Sequence, residues 1–285
     1  MTNHDLDASA AGTFQLGDLT VNRLGFGAMR ITGPGVWGPP ADRETAKAVL
    51  IRAVALGVNL IDTADSYGPE VSEELIAEAL YPYPHDLVIA TKGGYLRHGP
   101  NQWQPDGRPI HLRAALEGSL LRLKRDYIDV YQLHTPDPQT PFAESVGVLA
   151  EMQAEGKIRH IGLSNVSVAQ LKQAQAIVKV VSVQNRYNLA DRASEDVLDA
   201  CAEQGLGFIP WYPLATGNLA RPGSQLDQIA SRHNVAPGQV ALAWLLWRSP
   251  VMLPIPGTGS IAHLEENVAA AALKLDEAEL AALAG

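Results

Sequence analysis

YIDVYQLHTPDPQTPFAESVGVLAEMQAEGKIRHIGL, residues 127–163, contains one complete strand–helix–strand unit. Its opening, YIDVYQL, is a nearly continuous apolar run rich in β-branched and aromatic residues. A Pro-rich polar turn follows, and residues 142–155 then place apolar side chains at helical spacing. Gly156 fits a helix C-terminus, and IRHIGL (158–163) is a second short apolar run. Apolar runs this short, separated by amphipathic helices, are what parallel strands buried on both faces look like.

The same unit recurs in both directions. Strands are expected over residues 23–28, 59–63, 87–91, 127–133, 158–163, 180–184, 207–211 and 251–255. Amphipathic segments lie at 43–55, 71–79, 111–123, 142–155, 168–177, 194–203, 225–233 and 239–247, and 261–271 follows the last strand. Thr45 or Asp42 can cap the first helix and Ser167 the fifth; Pro237 fits a helix start, and Gly57, like Gly156, a helix end. Eight such repeats predict an α/β protein built as a closed (β/α)8 TIM barrel. A doubly wound open sheet would carry GxGxxG between its first strand and helix. Here Gly25-Phe26-Gly27 runs into Ala28-Met29-Arg30 instead. Residues 14–21, FQLGDLTV, read as an N-terminal β-hairpin turning at Gly17-Asp18 that covers the bottom of the barrel. With no linker or low-complexity stretch, residues 1–285 are expected to be one domain. The segments 31–40 (ITGPGVWGPP) and 93–110 (GGYLRHGPNQWQPDGRPI) read as long Gly/Pro-rich loops that shape a substrate site.

Composition narrows the function. The chain is 46% hydrophobic, which is too apolar for disorder, and its net charge is −9 from 22 Lys+Arg and 31 Asp+Glu. An acidic chain without a basic cluster is a poor partner for nucleic acid or an anionic membrane. The single Cys201 rules out a disulfide framework and a cysteine zinc site, and its setting, VLDAC, predicts a buried, inert thiol. No apolar run approaches the roughly 20 residues of a membrane span. The start, MTNHDLDASAAG, has no cationic stretch followed by an apolar one. A cytoplasmic, metal-free, monomeric enzyme acting on a small molecule is the expectation.

In a (β/α)8 barrel the chemistry sits at the C-terminal ends of the strands. Those ends carry Asp62 and, shortly after it, Tyr67; then Lys92, His134, Ser164-Asn165, Gln184 and Trp211. A tyrosine is a poor proton donor near neutrality. A neighbouring ammonium favours the tyrosinate and is expected to lower its pKa, a carboxylate can hold the ammonium, and a histidine can orient a substrate oxygen. No member of the set is an obvious nucleophile. The group suits protonation of an oxygen that becomes negative as hydride arrives.

IDTADSYG (61–68), TKGG (91–94), QLHTPD (132–137), GLSN (162–165), VQNRYN (183–188), PWYPL (210–214) and IPGTGSIAHLEENVAA (255–270) resemble, in the same order, the signature blocks of the aldo-keto reductases. The resemblance spans nearly the whole chain. It implies a (β/α)8 barrel and NAD(P)H-dependent interconversion of carbonyls and alcohols. It implies that Tyr67 is the proton donor, tuned by Lys92 and Asp62, with His134 orienting the carbonyl. It further implies that Ser164, Asn165 and Gln184 hold the nicotinamide carboxamide and that Trp211 lies against the nicotinamide. Gly27, Ala28, Met29, Tyr212, Pro213, Leu214, Gly217 and Leu219 would line the rest of the cofactor. Pro256, Gly257, Thr258, Ser260, His263, Glu266 and Asn267 would surround the adenosine and its 2′-phosphate. Because residues 256–267 contain no Lys or Arg, a preference for NADP(H) over NAD(H) of about one order of magnitude is expected from hydroxyls and the helix terminus alone. GPGVWGPP (33–40) also resembles a bacterial subgroup that includes pyridoxal reductases, with Trp37 and Trp103 beside Tyr67 and His134 at the substrate.

Two other classes remain open at this stage. A Schiff-base aldolase would use Lys92 as its barrel lysine, but the Asp62–Tyr67 step and Ser164-Asn165 count against it. A cofactor-sensing regulatory subunit would bind NADPH and scarcely turn over. The absence of an additional N-terminal segment and the complete set of four residues count against that reading.

Overall fold

The computed structural model describes residues 6–214 and 223–284. Strands β1 (Thr13–Leu16) and β2 (Leu19–Asn22) form an antiparallel hairpin, with Gly17 at φ +67° supplying the left-handed residue of its two-residue turn. The barrel opens with β3 (Phe26–Gly27), α1 (Arg43–Ala55), β4 (Leu60–Asp62), α2 (Val71–Leu80) and β5 (Val88–Gly93). A second hairpin, β6 (Tyr95–Gly99) and β7 (Gln102–Pro105), precedes α3 (Pro109–Leu123). Then come β8 (Ile128–Leu133), α4 (Phe142–Ala154), β9 (Ile158–Ser164), α5 (Val168–Gln175), β10 (Val180–Arg186), α6 (Glu195–Gln204) and β11 (Gly207–Trp211). Helices α7 (Gln225–His233), α8 (Pro237–Arg248), α9 (Ile261–Ala269) and α10 (Glu277–Ala284) complete the chain.

Seven strands pair in parallel in the order β3-β4-β5-β8-β9-β10-β11. The eighth place is taken by residues 251–256, which run between β11 and β3. Phe208 N–H donates to the Val251 carbonyl and Leu253 N–H to that of Phe208, both at 2.8 Å. On the other side Gly25 N–H donates to Pro254 O at 3.0 Å and Gly27 N–H to Pro256 O at 3.5 Å. Pro254 and Pro256 have no N–H to return, so this closing segment makes no regular ladder with β3. The region expected to be a loop over 93–110 is in fact largely the β6–β7 hairpin.

Capping follows the sequence signals. Asp42 accepts from the Thr45 N–H at 2.9 Å and its hydroxyl at 2.6 Å, so Asp42 is the cap. Ser167 and Gln170 form a capping box, and Pro237 sits in the first turn of α8.

Alternation along each strand sorts the barrel interior. Leu60, Val88, Ala90, Val130, Ile209, Leu253 and Ile255 pack inside it with Leu16 and Val21 of the first hairpin, which forms the floor. Opposite-parity residues such as Ile61, Ile89 and Leu133 pack outward against the helices. Two residues beyond the apolar layer, the inward positions turn polar at Asp62, Lys92 and Gln132. None of the described helices is long and apolar enough to cross a membrane.

The closing seam depends on two glycines. A methyl on Gly27 would stand 2.6 Å from the Ile255 carbonyl oxygen, and one on Gly257 would collide with the carbonyl oxygen of Gly27. Gly257→Ala is therefore expected to destabilise the barrel by about 1–3 kcal/mol through overpacking. A lowered midpoint in urea at an unchanged slope is the expected result, and an unchanged midpoint would contradict this account of the seam.

Candidate active site

The polar layer is a single network. Lys92, fully buried on β5, donates from Nζ to Asp62 Oδ2 at 2.7 Å, to the Thr63 carbonyl at 2.7 Å and to Tyr67 Oη at 3.4 Å. All three ammonium protons therefore have acceptors. Asp62 Oδ1 accepts from Gln184 Nε2 at 2.7 Å and Gln132 Nε2 at 3.1 Å. Four strands, β4, β5, β8 and β10, each contribute one member. Gly162 on β9 makes room for this layer: a methyl there would meet Ser182 Oγ at 2.6 Å and Gln132 Cγ at 2.9 Å. Gln184, which the resemblance assigns to the nicotinamide, has its amide engaged by Asp62. Gln132 is not among the candidates read from the sequence, although a glutamine two residues beyond Val130 in a buried strand faces the same way as Lys92.

Tyr67 sits on the turn after β4, and aromatic rings surround it edge-on. The centroids of His134 and Trp103 lie 5.8 and 6.2 Å from its ring, and Tyr95 lies 4.7 Å from His134. His134 follows β8; its Nδ1 faces Ser66 Oγ at 3.3 Å. The structure thus brings together Asp62, Tyr67, Lys92, His134 and Trp103. It holds Trp37 at the same rim, where Arg97 lies between the two tryptophan rings, with Cζ 5.7 Å from the Trp37 centroid and 3.6 Å from that of Trp103.

Charge states follow from this packing. Burial and the Lys92 and Arg97 cations hold His134 well below the usual histidine range, so it is neutral. Burial works against the Lys92 ammonium, but Asp62 and Tyr67 more than offset it, and its pKa lies above the ordinary lysine value. For Tyr67 the sequence-based direction is corrected. Burial raises the phenol and Asp62 adds to that; the ammonium of Lys92 opposes both without cancelling them. Tyr67 therefore holds its proton across the neutral range. Behind the same turn, burial and the nearby Glu73 carboxylate push Asp65 up to about 8, while Arg122 and Thr91 satisfy Glu73 at 2.7 and 2.5 Å.

The described residues expected at the cofactor fall at the ends of β9 and β11, in the turns that follow them, and along the seam of residues 27–29 and 256–267. Ser164 is buried at the end of β9. Asn165, at φ +59°, donates from Nδ2 to the His134 carbonyl at 3.0 Å, and its Oδ1 accepts from Trp211 Nε1 at 2.9 Å. That bond fixes the Trp211 ring at the rim. Tyr212, also at positive φ, presents its carbonyl to Asn188 Nδ2 at 3.2 Å, with Pro213 buried and Leu214 half-buried beside it. Gly217 and Leu219 lie outside the described residues. Gly27 and Gly257 form the seam, and Ala28 and Met29 belong to a short 3-10 turn directly after β3. Ser260 caps α9, accepting from the His263 N–H at 3.5 Å, and Thr258 Oγ1 accepts from Ser260 N–H at 3.1 Å. His263 and Glu266 are exposed, and Asn267 is buried. Residues 256–267 hold no Lys or Arg, but Arg30 approaches them in space: its Cγ lies 3.5 Å from where a Cβ on Gly257 would stand, and its guanidinium has no hydrogen-bond or ion-pair partner among the described residues. Among the described residues no group of three or more His, Cys, Asp or Glu is arranged to hold a metal.

Residues 23–285 match the family model described as the aldo/keto reductase family. The chain is 53% identical over 278 residues to an uncharacterized oxidoreductase of Schizosaccharomyces pombe, covering 98% of this chain and 90% of that protein. It is 47% identical over 283 residues to the pyridoxine 4-dehydrogenase of Escherichia coli, covering 97% and 98%. An aldo/keto reductase from Klebsiella pneumoniae, solved in complex with NADP and acetate, superposes with a TM-score of 0.78 at 30% identity over 93% of this chain and 90% of that one. The chain belongs to the aldo/keto reductase family. It is an NAD(P)H-dependent oxidoreductase with the (β/α)8 fold.

Proposed function

We propose that the protein reduces small aromatic aldehydes of the pyridoxal type to alcohols with NADPH, and runs the reverse oxidation when the cofactor ratio favours it. The observation that carries this reading is the protonated Tyr67 hydroxyl 3.4 Å from a fully buried, Asp62-paired ammonium. A bound nicotinamide cofactor would supply the hydride that the carbonyl carbon takes up. Tyr67 delivers its proton to the carbonyl oxygen and becomes a tyrosinate, which the Lys92 charge stabilises. In this reading Ser66 Oγ is the donor to His134 Nδ1, which puts the imidazole proton on Nε2 to hydrogen-bond the same oxygen. Trp37, Trp103 and Tyr95 form the wall for the substrate ring. The similarity to a pyridoxine 4-dehydrogenase supports this substrate class.

A nicotinamide dinucleotide fits the other side of the opening. Trp211 offers a ring face, Ser164 and Asn165 offer amide-binding groups, and the α9 terminus with Thr258, Ser260 and Arg30 offers donors to the 2′-phosphate. The NADP-bound relative supports the same choice.

An aldolase reading of Lys92 requires a neutral amine able to attack a carbonyl. Enclosure by Asp62, the Thr63 carbonyl and Tyr67 argues against it.

Tyr67→Phe is expected to lower kcat for aldehyde reduction on the order of 100-fold or more while NADPH affinity, read by fluorescence quenching, is retained. Turnover like that of the wild type would remove Tyr67 from the chemistry.

Arg30 adds to the preference expected from hydroxyls and helix terminus. A hydrogen bond to a charged group contributes about 1.5–3 kcal/mol, and 1.4 kcal/mol is a factor of ten. Arg30→Ala should therefore weaken NADPH binding about tenfold or more and leave NADH binding unchanged. Equal losses for both cofactors would mean that Arg30 does not read the phosphate.

A further inference from the structure

Arg97 belongs to none of the signature blocks above, yet its guanidinium joins three separate parts of the site. Nε donates across the β6–β7 hairpin to the Gln102 carbonyl at 2.9 Å, and Nη2 donates to Gly99 O at 3.3 Å. Nη2 also reaches the Gly35 carbonyl at 3.1 Å in the β3–α1 loop. Nη1 donates to the Ser66 carbonyl at 2.6 Å, one residue before Tyr67. Four of the five guanidinium N–H groups are accounted for by these main-chain oxygens. The face of the same group is stacked at 3.6 Å on Trp103, whose centroid lies 6.2 Å from both Tyr67 and His134.

The backbone already brings these loops close. Gly38 N–H donates to Gly68 O at 2.6 Å, and Asn101 N–H to Gly35 O at 2.9 Å. Neither bond holds the Ser66 carbonyl or the Trp103 ring, and those are the parts nearest the reacting groups. A planar fork can bind several carbonyls and stack on a ring at once; a lysine ammonium on a flexible stem cannot.

We propose that Arg97 is the positioning residue of the substrate wall. Through Ser66 and Trp103 it holds Tyr67, His134 and the aromatic wall in one geometry. The proposal rests on the reading of Tyr67 as proton donor. It also makes a claim independent of that reading: residues 33–38, 66–68 and 95–105 are ordered together by one side chain.

Both claims can be tested on the full-length protein with Arg97→Met, which keeps bulk, and Arg97→Lys, which keeps charge. With benzaldehyde and NADPH, both variants should lose kcat on the order of 10- to 100-fold while NADPH affinity stays within about twofold. In the cofactor-free proteins, amide hydrogen exchange should accelerate in all three segments together and not elsewhere. Recovery of kcat in the lysine variant would show that charge alone suffices and overturn the proposal. So would an unchanged kcat in both variants, or faster exchange confined to the β6–β7 hairpin. A wild-type protein that binds NADPH but leaves aldehydes untouched would sink the functional reading alone. The exchange measurement would still decide the role of Arg97, and the lysine variant serves if the methionine variant does not fold.

Discussion

A lysine ammonium with no exposure to solvent persists only if every proton and the charge itself are answered. Lys92 meets that condition through Asp62, the Thr63 carbonyl and Tyr67, and Asp62 is in turn held by Gln132 and Gln184. Each side chain of the pair comes from a different strand, so the network forms only when the barrel closes in register. Removing one partner of such a buried pair typically costs about 3–5 kcal/mol, because the other charge is left stranded. Stability and chemistry therefore lean on the same contact. The fixed cation helps keep His134 neutral, and in the proposed mechanism it meets the charge that Tyr67 acquires on losing its proton.

The rest of the fold serves this layer. Leu16 and Val21 of the N-terminal hairpin join Leu60, Val88, Ala90 and Val130 to fill the interior below it, which keeps the ion pair dry from beneath. The seam at Gly27 and Gly257 closes the barrel where two prolines limit the hydrogen bonding. Above the layer, Asn165 ties the β8 end to Trp211, and Arg97 ties three loops around Tyr67. In the proposed reading, the Trp211 side takes the nicotinamide cofactor and the Trp103 side an aromatic carbonyl compound.

Much of this was legible in residues at strand ends. Asp62, Lys92 and His134 follow apolar runs, where a charged or polar group has few structural reasons to be, and Tyr67 follows at a short fixed step. The hairpin floor was legible from its turn and alternation. Other parts were masked by local chemistry. The Gly and Pro content of residues 93–110 suggests a loop, although YLRHG and QWQP flank a turn at Pro100-Asn101, where Asn101 takes φ +56°. The expected lowering of the Tyr67 pKa weighed its cation but not its burial, which proves larger. Arg97 reaches Gly35 and Ser66, and Arg30 approaches Gly257, all far away in the chain, so no spacing pattern announces them. Gln132 did leave a signal, an inward-facing polar residue in an apolar strand, and alternation counted from Lys92's neighbours finds it.

The central claim is that Lys92 is a permanent cation paired with Asp62. Its most direct test is NMR titration of the Lys92 side chain in protein carrying 13C-labelled lysine, with Lys92→Met giving the assignment. The account predicts an ammonium throughout the neutral range and a titration above the ordinary lysine value near 10.5. A Lys92 amine that is already neutral near physiological pH would contradict it, and would make the lysine a nucleophile rather than the fixed charge beside Tyr67.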